Sequence, residues 1–312
     1  MRPLLNKSKR NGWHVGVLPA EGETALAIVR TTRSGRRLLR HCAIHSAIEI
    51  RAEHVLAPLR HSRDLAHARV SAILSADDYR LVQVEAPEVQ AGEMRAAVRW
   101  KLRDAIDFPV SDCVVDVFDI PAQSRYATER VLFAVAARGE AVRRLVGLVK
   151  PRVRGFDVID IPELCLRNVS ALLPQDKRGV AFLALAEGFA QLILTCQGTL
   201  YLARRIDLTQ RSDVLAFEER AESATGPLAV EIQRSLNYYE SHFDRDPIGD
   251  LVVACADEQG QRLFEPLRSE TGLNVEPLNV RELFTIEGDL EPDTRFSGLI
   301  ALGAALRTER GS

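Results

Sequence analysis

The sequence predicts an α/β fold in two lobes, each built on the same βββαβα plan. The chain has 312 residues, which exceeds the roughly 100–200 residues of one typical domain. Short apolar strands alternate with segments of helical periodicity, and this alternation is typical of α/β proteins. Two segments about 165 residues apart also share one strand pattern, and a spacing of one lobe favours duplication over a chance likeness between two meanders.

The repeated pattern is a three-stranded antiparallel meander. It covers residues 13–44 and again residues 179–208. In both copies the first apolar strand is followed by Ala-Glu-Gly, at positions 20–22 and 186–188. A second strand, a turn that contains glycine and a third strand come next. Glycine supplies the backbone freedom that such turns require.

Helices and further strands follow the first meander. Apolar residues at helical spacing predict a helix within residues 92–106. Phe108-Pro109 ends this helix, because proline restricts the residue before it and has no N–H to donate. The pattern then predicts, in order, a strand over 114–120, a strand over 130–137, a helix over 139–150, a strand over 156–161 and a helix over 162–173 that begins with a favourable proline.

The clearest helix of the second half is predicted over residues 228–243. Thr225 is its expected N-cap, and Pro227 suits its first turn. Its apolar stripe consists of Leu228, Ile232, Leu236, Tyr239 and Phe243. The sequence then predicts a strand over 251–256, a helix over 259–271 that ends at Gly272, and a helix over 296–307. Two glycines in the last helix lower its helix propensity, which indicates close backbone packing.

The composition is that of an ordinary soluble globular protein. Hydrophobic residues make up 46% and charged residues 27%, and the formal net charge is -2. Such a balance gives no support for nucleic-acid binding, which leaves a strongly basic surface. No signal peptide precedes the first strand, and no apolar run approaches the ~20 residues that span a bilayer. We therefore expect a cytoplasmic protein that reaches a membrane only through a partner or a surface contact.

Cysteine and histidine give no strong metal or disulfide pattern. The five cysteines form no CxxC pair and are expected to be reduced core thiols: Cys42, Cys113, Cys165, Cys196 and Cys255. His41, Cys42 and His45 lie in a predicted strand, where side chains alternate between faces. His41 and His45 therefore share one face while Cys42 points to the other. A structural interpretation is favoured over a zinc site, which usually needs three or four converging ligands.

Two basic clusters are candidates for contact with anionic lipid. One is the N-terminal arm, with Arg2, Lys7, Lys9 and Arg10. The other consists of Arg143, Arg144, Lys150, Arg152 and Arg154, for which a solvated helix face is the favoured interpretation. The sequence contains no Walker loop, GxGxxG or GxSxG motif.

Three stretches resemble, in the same order, segments of the PilM-like proteins of type IV pilus assembly. They are AVRWKLRDAIDFPVSDCVVDVFDI at 97–120, EIQRSLNYYESHF at 231–243 and FSGLIALGAALR at 296–307. The resemblance implies a two-lobed actin-like fold of the actin/Hsp70/FtsA superfamily. It implies subdomain 1A over residues 1–75 and 139–176, an inserted 1C-type subdomain over 76–138, a second lobe with 2A and 2B over 177–295, and a C-terminal helix, 296–312, that packs back between the lobes.

The resemblance also implies a partner. In PilM-like proteins the 1A/1C region holds the cytoplasmic N-terminal tail of PilN, an inner-membrane protein with a single span. A PilN-like tail is therefore the expected partner here, and other pilus platform proteins and the extension ATPase are further candidates. The candidate partner-binding residues are Met94, Val98, Trp100, Lys101, Leu102, Ile106 and Phe108.

The nucleotide site that the resemblance implies lacks its characteristic residues. Relatives that bind ATP have D-x-G at the first turn of both meanders and two later Gly-Gly pairs. Here these positions are occupied by Leu18 and Ala20, Ala184 and Ala186, Thr209 and Gln210, and Cys255 and Ala256. Leu18 and Ala184 offer no oxygen to a metal, and side chains replace glycine where phosphates approach the backbone. We expect a degenerate site without a cofactor and without catalysis.

Two alternatives stay open at this point. The first is an active actin-like ATPase of the same machinery that binds Mg-ATP through unusual ligands, for which Glu21 and Glu187 are nearby carboxylates. Solvated turn residues are the favoured interpretation of both, and Asp257 is expected to cap a helix. The second alternative is the cytoplasmic domain of a type II secretion protein of the GspL kind. Those proteins continue into a membrane span, which is not expected here.

Overall fold

The computed structural model describes residues 12–20, 22–32, 34–46, 51–120, 130–208, 217–255 and 258–307. Strands and helices alternate along these residues. The strands are β1 (Trp13–Ala20), β2 (Glu23–Thr31), β3 (Arg37–Ser46), β4 (Arg69–Ile73), β5 (Tyr79–Glu85), β6 (Cys113–Asp119), β7 (Val131–Arg138), β8 (Phe156–Asp160), β9 (Val180–Ala186), β10 (Phe189–Cys196), β11 (Thr199–Asp207), β12 (Asp250–Ala254), β13 (Asn274–Pro277) and β14 (Thr285–Ile286). The helices are α1 (Ala52–His61), α2 (Met94–Lys101), α3 (Gly139–Val149), α4 (Pro162–Ser170), α5 (Phe217–His242), α6 (Glu258–Arg262), α7 (Phe264–Thr271), α8 (Val280–Leu283) and α9 (Phe296–Ala305).

The first lobe is built on a six-stranded sheet in the order β14-β3-β2-β1-β4-β8. Strands β1, β2 and β3 pair antiparallel, which confirms the predicted meander. Strands β4 and β8 then extend the sheet in parallel with β1. Gly22, in the turn between β1 and β2, has a φ of +84°, a left-handed conformation that favours glycine.

The second lobe repeats this arrangement with the sheet order β11-β10-β9-β12-β13. Strands β9, β10 and β11 form the second predicted meander, and β12 pairs in parallel with β9 as β4 does with β1. The turn between β10 and β11 consists of Gln197 and Gly198, whose φ angles of +52° and +70° are typical of a type I′ turn. The shared order β3-β2-β1-β4 and β11-β10-β9-β12 supports the predicted duplication.

A third sheet, in the order β5-β7-β6, is inserted between β4 and α3. Helix α2 covers one of its faces, where Val98 and Leu102 pack on Val115 and Leu132 in a small core. The other face packs on both lobes, because Leu81 lies against the cores of each. The inserted sheet is therefore wedged between the first and second lobes.

A pair of hydrogen bonds joins the inserted sheet directly to the second lobe. The side chain of Gln83 on β5 donates to the carbonyl oxygen of Tyr201 on β11, at 3.4 Å. The same side chain accepts a hydrogen bond from the hydroxyl of Tyr238 on α5, at 2.8 Å. These contacts fix the position of β5 against the second meander.

Helices α4 and α9 cross at very short range. A Cβ atom on Gly303 of α9 would lie 2.0 Å from the carbonyl oxygen of Cys165 on α4. On the sheet side, a Cβ on Gly16 of β1 would lie 1.9 Å from the carbonyl oxygen of Ala301. Both glycines are therefore required by the approach of one backbone to another, and the close packing predicted for this helix is confirmed.

Several predicted element boundaries are wrong. Helix α5 begins at Phe217, so Thr225 is not an N-cap and Pro227 lies inside the helix. The apolar stripe identified only the part of α5 that packs on the sheet. Pro227 removes one backbone hydrogen bond, but this loss does not end a helix that packing stabilises. The helix predicted over 259–271 is divided at Leu263, whose N–H bonds to the carbonyl oxygen of Gly260 three residues earlier and so tightens the turn.

Among the residues that the structure describes, none of the helices combines the length and the hydropathy needed to cross a bilayer.

The substitution Gly303→Ala tests the crossing of α4 and α9. The new Cβ would collide with the Cys165 carbonyl group, so we expect the free energy of unfolding to fall by about 1–3 kcal/mol or more. Gly147→Ala is the matched control, because a Cβ there meets no atom within 4 Å in an exposed part of α3. It should raise stability by roughly 0.5–1 kcal/mol through helix propensity. Urea unfolding measures both, and a neutral effect of Gly303→Ala would contradict this packing.

Candidate functional site

The first turn of α9 contacts the beginning of β2 in the first meander and of β10 in the second. Ser297 donates a hydrogen bond from its hydroxyl to the carboxylate of Glu23, which opens β2. The neighbouring Phe296 packs edge-on against Phe189, which opens β10, with ring centroids 5.1 Å apart. One helical turn therefore bridges the two equivalent hairpins of the duplicated fold.

A cation adds to this contact from the second lobe. The guanidinium group of Arg205 on β11 lies 3.4 Å from the ring centroid of Phe189. The ring of Phe189 is thus contacted by the edge of Phe296 and by Arg205, and the electron-rich face of an aromatic ring attracts a cation. The space beside the β9–β10 turn is occupied by aromatic and basic side chains.

Four of the positions predicted to be a degenerate nucleotide site lie on β1 and β9 beside this bridge: Leu18, Ala20, Ala184 and Ala186. Leu18 is 6% exposed and packs in one core with Leu299 of α9. Ala184 is 1% exposed, while Ala20 and Ala186 are partly exposed at the ends of β1 and β9. Thr209, Gln210 and Ala256 lie outside the described residues, as do Glu21 and Asp257.

Cys255 lies beside helix α6 in the second lobe. A Cβ on Gly260 would be 2.2 Å from the Cβ of Cys255, so the helix backbone is packed directly against this side chain. Gly260 therefore allows the backbone of α6 to contact the end of β12 directly. Glu187, proposed as a substitute carboxylate, is an exposed turn residue.

The described residues do not fit a phosphate and Mg²⁺. Such a group needs carboxylates around the metal and glycine backbone around the phosphates. Leu18 and Ala184 provide hydrocarbon instead, and the Phe189–Phe296 pair stands at the hairpins. Over the described part of the chain, no three His, Cys, Asp or Glu side chains converge in a way that could hold a metal ion.

A partly buried carboxyl group lies where the inserted sheet, α4 and the second lobe meet. Glu163 on α4 accepts a hydrogen bond of 2.5 Å from the hydroxyl of Tyr79, the first residue of β5. Burial raises the pKa of Glu163, although the hydrogen bond from Tyr79 and the charge of Arg205 oppose this shift. Burial, followed by the charge of Glu163, also raises the pKa of Tyr79 well above its usual value.

The end of α9 is held by an ion pair. Arg307 contacts the carboxylate of Asp160 at 2.6 Å, and the Asp160 side chain is 1% exposed. Burial lowers the pKa of Arg307, but the charge of Asp160 and, more weakly, that of Asp116 raise it above its usual value. Removing either member of such a buried pair leaves an uncompensated charge. The contact therefore fixes the C-terminal end of α9 to β8.

The histidine pair of β3 has the arrangement that strand alternation predicts. The Nε2 atoms of His41 and His45 are 3.4 Å apart, within hydrogen-bonding range. Cys42 faces the other way and donates from its Sγ to the carbonyl oxygen of Asp293 at 3.4 Å. Burial and then the charge of His45 lower the pKa of His41, while burial raises the pKa of Cys42 to about 12.

The candidate partner-binding residues do not form one surface. Val98, Leu102 and Phe108 are buried in the small core under the inserted sheet, and Met94 and Ile106 pack partly buried against that core. Lys101 is exposed and pairs with Glu85 at 2.8 Å, and Trp100 is 66% exposed. The apolar period of α2 therefore marks the side on which it packs, and of the seven candidate residues only Trp100 and Lys101 are exposed.

Two strands that end their sheets in the described part of the chain have acidic residues close to Arg307. β6 is the last strand of the inserted sheet, and β8 is the last strand of the six-stranded sheet. Arg307 pairs with Asp160 on β8, and the charge of Asp116 on β6 contributes weakly to raising the pKa of Arg307. On β6, Val114 is 47% exposed, which is unusual for an apolar side chain on an unpaired edge. We refer to β6 and β8 together as the open edges.

Comparison with known proteins identifies the fold. Neither a protein-family model nor a curated protein matches the sequence. Among solved structures, the chain is similar to the PilM-PilN type IV pilus biogenesis complex, with 18% identity, a TM-score of 0.63 and coverage of 94% of this chain and 96% of that chain. The chain has the actin-like fold.

Two further structures agree with this fold. The cytoplasmic domain of EpsL, an inner-membrane component of the type II secretion system of Vibrio cholerae, is 12% identical with a TM-score of 0.50, covering 95% of this chain and 96% of that chain. A Bacteroides thetaiotaomicron protein of actin-like ATPase fold and unknown function is 10% identical, with a TM-score of 0.50. The similarity covers 89% of this chain and 95% of that chain.

Sequence reasoning missed the residues that bridge the lobes of this actin-like fold. Phe189, Arg205 and Phe296 appeared only as members of a strand or a helix. Glu163 and Tyr79 gave no signal, because their contact joins positions 84 residues apart. The only local feature here is Pro162-Glu163, which indicates the first turn of a helix and not a buried contact.

The partly buried carboxyl group predicts a pH dependence of stability. The raised pKa means that the folded state binds the Glu163 proton more tightly than the unfolded chain does, so stability falls as the pH rises above the usual carboxyl value of 4.5. Glu163→Gln keeps an acceptor for Tyr79 without the charge. We expect it to match the wild type near pH 4 and to be more stable at pH 7.5, by urea unfolding. Glu187→Gln, in an exposed turn, should follow the wild type at both values, and a parallel pH profile for Glu163→Gln would contradict the assignment.

Proposed function

We propose that this chain is a non-catalytic scaffold of a type IV pilus assembly platform, an MshI-like component of an MSHA-type pilus. It would dock the cytoplasmic N-terminal tail of a PilN-like inner-membrane protein. The observation that carries the proposal is the first turn of α9, which joins Glu23 to Ser297 and Phe189 to Phe296 where a phosphate would have to lie. An actin-like fold with this bridge is suited to binding proteins and not nucleotides.

The similarity to the PilM-PilN complex supports the pilus system and the kind of partner. The EpsL domain belongs to an inner-membrane component of a related secretion machine, which supports a place at the cytoplasmic side of the inner membrane. The TM-score is 0.63 for the PilM-PilN structure and 0.50 for EpsL, so we favour a pilus component over a type II secretion component. Other platform proteins and the extension ATPase remain candidate partners without assigned residues.

The open edges are the docking surface that we assign to the tail. An extended peptide adds to an unpaired strand through main-chain hydrogen bonds, and exposed side chains beside the edge supply specificity. Val114 offers apolar surface, and Asp116, whose exposed ion pair with Arg95 can exchange for another cation, offers negative charge close by. A cytoplasmic tail next to a membrane span is usually rich in Lys and Arg, which this charge complements.

Titration with Mg-ATP tests the proposed absence of a nucleotide. We expect no change in Tm at 5 mM Mg-ATP, because Leu18 and Ala184 offer no oxygen to a metal and the Phe189–Phe296 pair lies at the hairpins. A site with a Kd near 100 μM would add about 2 kcal/mol at that concentration, which raises the Tm of a chain of this size by roughly 3 °C. A rise of that order with Mg-ATP, absent with Mg²⁺ alone, would show that the alternative of an ATP-binding protein is right.

Binding of a partner tail tests the docking surface. Peptides from the cytoplasmic tails of inner-membrane proteins encoded beside this chain would be titrated by calorimetry. Val114→Lys places a positive charge and a longer side chain at the edge, and we expect it to weaken binding on the order of tenfold or more.

Val230→Lys is the matched control, because Val230 is similarly exposed, at 49%, on helix α5. It should leave the affinity unchanged. Equal losses in both variants, or no binding of any such tail to the wild type, would exclude the open edges as the docking surface.

A further inference from the structure

Helix α2 presents an exposed tryptophan on the side opposite its buried face. Trp100 is 66% exposed, more than any other large hydrophobic residue in the described part of the chain. The guanidinium group of Arg103 lies 5.2 Å from its ring centroid. Tryptophan is costly to leave in water at this exposure, so a covering partner is expected.

The charge around Trp100 is uniformly positive along the helix. Residues 94–103, MRAAVRWKLR, contain four basic residues and no acidic ones. Arg95 pairs with Asp116 and Lys101 pairs with Glu85, and both pairs are exposed at the surface. Exposed pairs of this kind contribute little to stability, so they exchange readily for other anions. We call Arg99, Trp100 and Arg103 the outer face of α2.

We propose that the outer face of α2 rests on the surface of an anionic lipid bilayer. Tryptophan is enriched at the level of lipid headgroups, where its ring meets hydrocarbon and its N–H meets water. Arginine and lysine beside it are attracted to anionic lipids at the cytoplasmic surface. The contact would be made by this chain itself and does not require the partner tail, so it goes beyond the scaffold function proposed above.

The shape of the surface favours lipid over a peptide. Peptides bind in grooves or along strand edges, where main-chain groups and pockets are available. The outer face of α2 is the convex side of a helix whose own backbone hydrogen bonds are made within the helix. A convex face with one aromatic anchor and flanking cations is typical of contact with a bilayer.

The basic cluster of α3 is a weaker candidate for the same role. Arg143 pairs with Asp112 at 3.3 Å and Arg144 pairs with Asp78 at 3.1 Å. The Arg152 side chain donates to the carbonyl oxygen of Leu148 at 2.6 Å. These ion pairs are exposed like those of α2 and do not separate the two surfaces. The difference is that, among the described residues, the cluster has no exposed aromatic side chain, so it offers charge without an anchor.

Vesicle binding tests the proposal with the full chain and no partner present. The protein would be mixed with vesicles of phosphatidylcholine alone or with 30% phosphatidylglycerol, as is usual for an anionic surface. We expect flotation with the anionic vesicles only, reduced by high salt. Trp100 emission should shift to shorter wavelength, and Trp100→Phe should remove this shift, because Trp13 is only 3% exposed.

Two sets of variants locate the contact. Arg99→Gln with Arg103→Gln, and separately Trp100→Ala, should each lower vesicle partitioning on the order of tenfold. Lys150→Gln with Arg154→Gln removes two exposed basic residues outside α2 and should have little effect. Circular dichroism and Tm verify that each variant is folded.

The outcomes are distinct. Unchanged partitioning of the folded α2 variants, or no binding of the wild type to anionic vesicles, would overturn the proposal. If the α2 variants bind vesicles normally but lose a partner tail, the face is a protein-docking surface and the proposal is wrong. Loss of tail binding in Val114→Lys with normal vesicle binding would separate the two surfaces.

Discussion

The close crossing of α4 and α9 is the contact on which the arrangement of the lobes depends. Gly303 lets the backbone of α9 lie on the carbonyl group of Cys165, and Gly16 lets β1 lie on the same helix. Helix α9 is therefore fixed from two sides, since side chains between the backbones would push it away. Its first turn is held where the two meanders begin their second strands, and this position alone allows Phe296 and Ser297 to meet both hairpins.

A hydrogen bond to a partly buried carboxyl group and a buried ion pair complete this junction. Glu163 joins α4 to Tyr79 of the inserted sheet, and Arg307 joins the end of α9 to Asp160 of β8. A buried ion pair adds little net stability over a hydrophobic contact of the same shape, but it costs several kcal/mol when one member is displaced. Such pairs therefore act against alternative packings of α4, α9 and the inserted sheet. The junction is specified by polar contacts that other arrangements would leave unsatisfied.

The sequence predicts the local elements of this fold well and their meeting points poorly. The meanders follow from a period of two and from glycine turns, and the packing of α9 follows from its small residues. In contrast, the bond between Glu23 and Ser297 joins positions 274 residues apart, and no local pattern encodes it. The apolar stripe of α2 is buried against the inserted sheet, because periodicity identifies the packed side of a helix and says nothing of the other. The family resemblance gave the correct fold, which propensity alone would have left undecided.

The contacts between the two hairpins determine whether part of the binding energy must be used to open or close the cleft. When a cleft opens and closes around a ligand, part of the binding energy is used to shift the population of conformations. Here Phe189, Arg205 and Phe296 hold the hairpins together, and Gln83 ties the inserted sheet to Tyr238 of the second lobe. The strand edge of β6 and the outer face of α2 belong to that same inserted sheet and helix. A body fixed in this way would present both proposed surfaces in one orientation without a ligand, so the proposed affinity for a tail or a membrane would not be reduced by an opening equilibrium.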